Sequence, residues 1–262
     1  MRIVFVGAGN LATNLAKALY KKGNDIVQVF SRTSESAELL AEQVNSLPTT
    51  DLKDIVGDAD LYIMSLKDSV LKDIVKVLCS VDNNGLFVHT AGSIPMEIFS
   101  GYARRYGVLY PMQSFSKQHE VDFHDVPFFV EANTAEDCQL LKDLASTLSE
   151  RVYELSSEAR KHLHLAAVFA SNFANHCYEL CGEILHKYGI PFDVMLPLID
   201  EIARKVHYIA PKEAQTGPAI RYDENVIDMQ KKLLAYDPRL LEIYKVMSES
   251  IHTVAITKNE NL

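Results

Sequence analysis

Residues 3–12 read Ile3-Val4-Phe5-Val6-Gly7-Ala8-Gly9-Asn10-Leu11-Ala12, and this stretch decides the fold. Four consecutive apolar residues predict a buried strand, and the apolar spacing over 11–22 predicts a helix closed by Gly23-Asn24. Between them, Gly7 allows a tight turn, Gly9 lets the backbone approach a pyrophosphate, and small Ala12 permits close helix–strand packing. Asn10 and Leu11 fall in the first helical turn, where free N–H groups and a partial positive charge favour an anion. A glycine-rich turn without a ligand is the plain alternative. A fingerprint set between a leading strand and a helix is the context that dinucleotide binding requires.

The end of the second strand selects the dinucleotide. NAD-preferring folds place an acid there, about 20 residues past the glycines, to bond the ribose 2′-hydroxyl. This chain reads Val29-Phe30-Ser31-Arg32-Thr33 instead. Ser31, Arg32 and Thr33 offer a guanidinium and two hydroxyls, which suit the 2′-phosphate of NADP. An exposed loop arginine beside a helix cap is the alternative.

Working outward, short apolar runs alternate with helical patterns through the first half, as βα units do. Strands are expected at 3–6, 26–30, 61–65, 86–89, 108–109, 127–130 and 152–155. Helices are expected at 11–22, 34–44, 69–78 and 135–148, and no strand is expected between 44 and 59. After about residue 155 only helix-period segments remain: 157–188, ended by Gly189-Ile190-Pro191, then 192–206, 224–235 and 238–256. The fold class is therefore α/β, a Rossmann-like, mostly parallel, doubly wound sheet over 1–153 followed by an all-helical domain over 154–262. Leu165, Ala166, Val168 and Phe169 give the 157–188 helix a broad apolar face, suited to a domain centre or a subunit interface.

Composition limits the function classes. The chain has 262 residues, 26 Lys and Arg, and 35 Asp and Glu, a net charge of −9 that opposes nucleic-acid binding. Apolar residues at 48% and charged residues at 23% indicate a globular chain rather than a disordered one. Four cysteines are too few for a disulfide scaffold. Cys177 and Cys181 are expected as buried, reduced thiols, and no metal site is expected. The opening apolar run is too short for a signal-peptide core, and no stretch approaches ~18 apolar residues, so a cytoplasmic protein without a membrane span is expected.

Gly7-Ala8-Gly9-Asn10-Leu11-Ala12 and Ser31-Arg32-Thr33 resemble the openings of pyrroline-5-carboxylate reductases and of NADP-dependent reductases that serve deazaflavin coenzymes. Later segments are similar to Rossmann-like oxidoreductases, within the 6-phosphogluconate and β-hydroxyacid dehydrogenase superfamily, whose helical C-terminal domain has no assigned function. They are Val88-His89-Thr90-Ala91-Gly92-Ser93, Tyr110-Pro111-Met112-Gln113-Ser114-Phe115, His164-Leu165-Ala166-Ala167 through Ala170-Ser171-Asn172-Phe173, and Thr216-Gly217-Pro218-Ala219-Ile220-Arg221-Tyr222-Asp223. Tyr110 stands where that family commonly carries a histidine, so the role of that imidazole is open here. The resemblance implies NADP as cofactor, a small-molecule substrate in a cleft between the domains, and a homodimer through the helical domain. The lysine that β-hydroxyacid dehydrogenases carry four residues before the asparagine is absent, since that position is Val168.

Hydride transfer to a carbonyl or imine requires a proton donor and polarising hydrogen bonds. His164 has the titration range for the first task, although a lone histidine on a helix is often structural. Ser171 and Asn172 suit the second. At 100° per residue His164 and Ser171 share a face, with Asn172 about 80° round. His89, at a strand end before Thr90, either borders the nicotinamide or caps the sheet. Ser65, Leu66 and Lys67 end another strand and are expected beneath the cofactor's ribose. Gln113 and Ser114 in a proline-broken polar loop are expected on the substrate side, as are Thr216 and Arg221, the latter either binding an anion or pairing with Asp223. Two other readings stand beside an oxidoreductase acting on a small polar carbonyl or imine. One is an NADP-binding sensor without turnover, the other a reductase passing hydride between NADP and a deazaflavin.

Overall fold

The structure is a computed structural model that describes residues 1–79 and 84–257. Eight strands form one sheet: β1 (Arg2–Val6), β2 (Asp25–Phe30), β3 (Leu47–Thr49), β4 (Leu61–Met64), β5 (Leu86–His89), β6 (Arg105–Pro111), β7 (Phe128–Ala132) and β8 (Val152–Glu154). Their order is β3-β2-β1-β4-β5-β6-β7-β8. All neighbours run parallel except β6 and β7, so β7 and β8 form a reversed edge pair. The order reverses between β1 and β4, and the crevice at such a switch point is where open α/β sheets bind ligands.

Helices α1 (Asn10–Lys21), α2 (Ser34–Gln43), α3 (Asp68–Leu78) and α4 (Ala135–Ser146) cover both faces of this sheet. Alternation along β1 sorts the core: Ile3 and Phe5 pack with residues of α1, α2 and α4, while Val4 and Val6 pack with Leu71 and Val75 of α3. Gly23, at φ +85°, ends α1, and Asn24 N–H donates back to the Leu19 carbonyl in a Schellman-type stop.

Strand β3 was not expected. Only three residues long and carrying Pro48, it offers no periodicity to read, and an edge is where a sheet tolerates proline. Strand β6 is likewise longer than its two-residue apolar signal, because Arg105 and Tyr106 pair with β5 through backbone alone.

The change to helices follows β8. Helix α5 (Ser157–Ala167) runs into a π-helical turn (Val168–Phe173) and then α6 (Ala174–Lys187), so the single helix expected over 157–188 carries a wide turn in its middle. By contacts the chain divides into Met1–Asn172 and Phe173–Leu262. A buried ionic cluster ties α5 to the first unit. Arg160, fully buried, donates to Glu131 of β7 at 2.8 Å, to the Ile94 carbonyl at 2.6 Å and to Ser157 Oγ at 3.1 Å. Glu131 also accepts from the Ser157 amide and hydroxyl.

The second unit contains α6, α7 (Leu196–Lys205), α8 (Pro211–Ala214), α9 (Pro218–Arg221), α10 (Glu224–Leu233) and α11 (Pro238–Ile256). Leu180, Leu234 and Leu240 form its buried centre, with Ile184, Leu241, Ile243 and Tyr244 packed around them. Cys177 is exposed and Cys181 half-buried, whereas the sequence places both inside. No helix among the described residues is long and apolar enough to cross a membrane.

Candidate functional site

Two of the clefts in the first unit gather expected site residues. One, of about 630 Å³, lies at the carboxyl ends of β1, β2 and β4. Gly7 and Gly9 line it after β1, Ser31, Arg32 and Thr33 after β2, and Ser65, Leu66 and Lys67 after β4. Gly7 adopts φ +122°, and a Cβ there would collide with the Ser65 carbonyl, so no other residue fits this turn. A Cβ on Gly9 would enter open space, which leaves its backbone accessible to a ligand. The first amide to donate within α1 is that of Thr13, to the Gly9 carbonyl. The N–H groups of Asn10, Leu11 and Ala12 therefore point out of the helix end as anion donors.

Arg32, Lys67 and Lys117 all line this cleft, and among the described residues none of the three forms an ion pair. Most other cations near the sheet are matched, as Arg2 is by Asp58 and Lys17 by Glu120. Three unmatched cations beside a glycine turn and a helix N-terminus suit a dinucleotide carrying an additional phosphate. No acid follows β2 to bond a ribose 2′-hydroxyl; Ser31, Arg32, Thr33 and Ser36 stand there.

The second cleft, about 440 Å³, is lined by Tyr110, Met112, Gln113 and Ser114 from β6 and the loop after it, and by α5 and the π turn. His164, Ser171 and Asn172 all face it. The 100° arithmetic does not hold through the π turn, yet the groove gathers all three residues. Such turns often mark functional sites, since the wider winding re-aims side chains. The Tyr110 hydroxyl lies 3.1 Å from His164 Nδ1, with the rings edge to face at 6.1 Å. Gly92 makes room for this pair: a Cβ there would meet the His164 ring. Burial pushes the Tyr110 phenol above its ordinary pKa of 10, with the nearby Arg160 guanidinium opposing the shift.

Several expected site residues lie elsewhere. His89 is fully buried, stacks on Phe99 at 5.8 Å, and its Nδ1 accepts from the Ala91 amide at 3.1 Å. Burial, reinforced by Arg160, lowers its pKa to about 3, so it stays neutral and caps the sheet instead of bordering a ligand. Thr90 is buried at the same strand end and lines neither cleft. The Asn10 side chain donates to the Phe115 carbonyl at 3.0 Å, and the Leu11 side chain packs on the core, so only their backbone amides serve the cleft. Thr216 and Arg221 belong to the second unit, where both are exposed. Asp223 does not pair with Arg221; it caps α10 by accepting from the Val226 amide. Tyr110 is expected only as the start of the polar 110–115 segment on the substrate side, and the structure adds its contact with His164; Lys117, a lone loop lysine, carries no spacing signal.

Comparison with known proteins places the chain. A solved Bacteroides fragilis protein, provisionally named an NADP oxidoreductase, is 59% identical, with 96% of this chain and 98% of that one covered and a TM-score of 0.93. The chain belongs to that NADP oxidoreductase family. The family model described as NADP oxidoreductase, coenzyme F420-dependent, matches residues 2–90, and that of a domain of unknown function, DUF2520, matches residues 126–251. A Thermotoga maritima protein of solved structure is 22% identical over 97% of this chain and 99% of its own, with a TM-score of 0.81. A Myxococcus stipitatus imine reductase in complex with NADP+ shares the fold at 13% identity, over 100% of this chain and 95% of its own, with a TM-score of 0.66. No curated protein matches the sequence significantly. Along this chain the two matched regions follow one another in that order.

Proposed function

We propose that the protein transfers hydride between NADP(H) and a small polar carbonyl or imine compound held in the groove beside Tyr110 and His164. One observation carries the reading. A hydrogen-bonded phenol–imidazole pair faces a groove, and the loop that lines the groove through Met112, Gln113 and Ser114 lines the nucleotide cleft through Lys117.

The residues present fit the cofactor. Gly7 and Gly9 leave a cradle, α1 supplies free amides, and Arg32 with its neighbouring hydroxyls suits the 2′-phosphate. When bound, NADPH supplies the hydride. The chain's own part is to bind, orient and manage a proton. Asn172 and Ser171 polarise the substrate's oxygen or nitrogen with hydrogen bonds. Tyr110 donates the proton from its hydroxyl, and His164 replaces it through Nδ1. A buried phenol with a raised pKa remains protonated at neutral pH, as an acid must.

The family model's description favours a second reading, in which the partner of NADP is a deazaflavin coenzyme. Following NADPH oxidation spectrophotometrically with cyclic imines, ketoacids and coenzyme F420 separates the two. Turnover of a carbonyl or imine supports the main proposal, and turnover of F420 alone replaces it. NADPH binding without oxidation of any panel member leaves a nucleotide sensor.

The helical unit is proposed to pair with a second copy of the chain. Among the described residues its buried apolar side chains are Leu180, Leu185, Ala219, Ile227, Leu234 and Leu240, while Phe192, Leu196, Leu198, Ile202 and Val206 are each more than a third exposed. A unit of this size requires more apolar cover than it supplies itself.

A further inference from the structure

We propose that residues 112–123 form a strap fixed along α1, and that its Lys117 binds the dinucleotide's pyrophosphate. This rests on the reading of the first cleft as an NADP site.

The strap is pinned to one helix at several points. Asn10 Nδ2 donates to the Phe115 carbonyl at 3.0 Å, and Asn14 Nδ2 donates to the Ser116 carbonyl at 2.9 Å. Asn14 Oδ1 accepts from the Val121 amide at 3.0 Å, so one buried amide side chain holds both arms of the strap. Glu120 pairs with Lys17 and Lys21 farther along α1. Phe115, Val121 and Phe123 pack onto the core beneath, the two phenylalanine rings 5.8 Å apart. A loop held by carbonyls, an amide, an ion pair and three apolar anchors has little freedom left.

That fixing sets which phosphate Lys117 meets. The carbonyls of the two residues before it are bonded to Asn10 and Asn14, which lie on the first two turns of α1. Lys117 lines the cleft with Gly7, Ala8 and Gly9, is exposed, and forms no ion pair among the described residues. The anion expected at those turns is the pyrophosphate, held by the free amides of α1. Arg32, on the separate segment after β2, is left to the 2′-phosphate. Lys117 thus adds affinity common to both nicotinamide dinucleotides, whereas Arg32 supplies the preference for NADP.

Isothermal titration of the full chain with NADPH, NADH and 2′-AMP tests this, since 2′-AMP carries the 2′-phosphate without a pyrophosphate. Losing one charge-assisted contact costs about tenfold in affinity. Lys117→Ala is expected to weaken NADPH and NADH by about that factor and leave 2′-AMP unchanged, with Lys117→Arg restoring most of the loss. Arg32→Ala is expected to weaken NADPH and 2′-AMP and spare NADH. The proposal is overturned if Lys117→Ala weakens 2′-AMP but not NADH, or changes none of the three. Failure of the unaltered protein to bind either dinucleotide overturns the NADP reading itself, and this proposal with it.

Discussion

Tyr110 and His164, 54 residues apart in the chain, meet at 3.1 Å between the phenol oxygen and imidazole Nδ1. One is carried by β6 and the other by α5, and the contact closes one wall of the groove. Its direction follows the imidazole. A neutral ring protonated at Nε2 accepts from Tyr110, and a charged ring donates to it and frees the phenolic proton for a substrate.

Tyr110→Phe should lower kcat by about a hundredfold, the lower end of general acid contributions, with NADPH affinity unchanged. Burial raises the Tyr110 pKa, so loss of the phenolic proton itself lowers activity only above pH 10. Stopped-flow rates across pH 7–11 check both points. A variant as fast as the unaltered protein would remove Tyr110 from the chemistry.

Gly92→Ala should act through His164, because the new methyl group occupies space the ring fills. Loss of kcat with an unchanged melting temperature is expected. A loss of stability alone would mean that the ring relocates without consequence.

The Arg160–Glu131 pair is a stability element. Both carry further hydrogen bonds, and removing one partner strands a buried charge. Glu131→Ala should destabilise the first unit by about 3 kcal/mol, read from urea denaturation. Arg160→Met leaves Glu131 partly exposed and still bonded by the Ser157 amide and hydroxyl, and should cost less than Glu131→Ala, which strands the fully buried guanidinium.

Acid sensitivity should trace to His89. In the fold its pKa is about 3, whereas in the unfolded chain it is near 6.5. Between these values the unfolded chain binds the proton and the fold does not. Stability from this group is therefore full above pH 6.5 and lost as pH falls, by about 1.4 kcal/mol per unit. Urea midpoints at pH 7 and pH 5 should differ less in His89→Gln than in the unaltered protein. Equal differences would assign the acid sensitivity to other groups.

Leu198 is 60% exposed on α7, and Ile202 is 49% exposed one turn later. Leu198→Asp should leave the fold intact by circular dichroism and shift the protein from dimer to monomer in sedimentation velocity. An unaltered protein that sediments as a monomer would end the proposal of pairing.

The sequence by itself determined the nucleotide-binding half. Strand, glycine turn and helix are adjacent in the chain, so their geometry follows from local rules of backbone and packing, and Arg32 takes its position from the strand it follows. Helix ends marked by Gly23, Gly189 and Pro238 were legible for the same reason. The tertiary structure alone decided which polar groups meet. His89 and His164 are both histidines within apolar surroundings; burial makes one a neutral cap, and the contact with Tyr110 gives the other a partner. The π turn left no sequence mark, and Lys117 reaches the first cleft only because Asn10 and Asn14 hold a strap a hundred residues away. Contacts between distant segments depend on how the whole sheet packs, and no periodicity in a single segment encodes them.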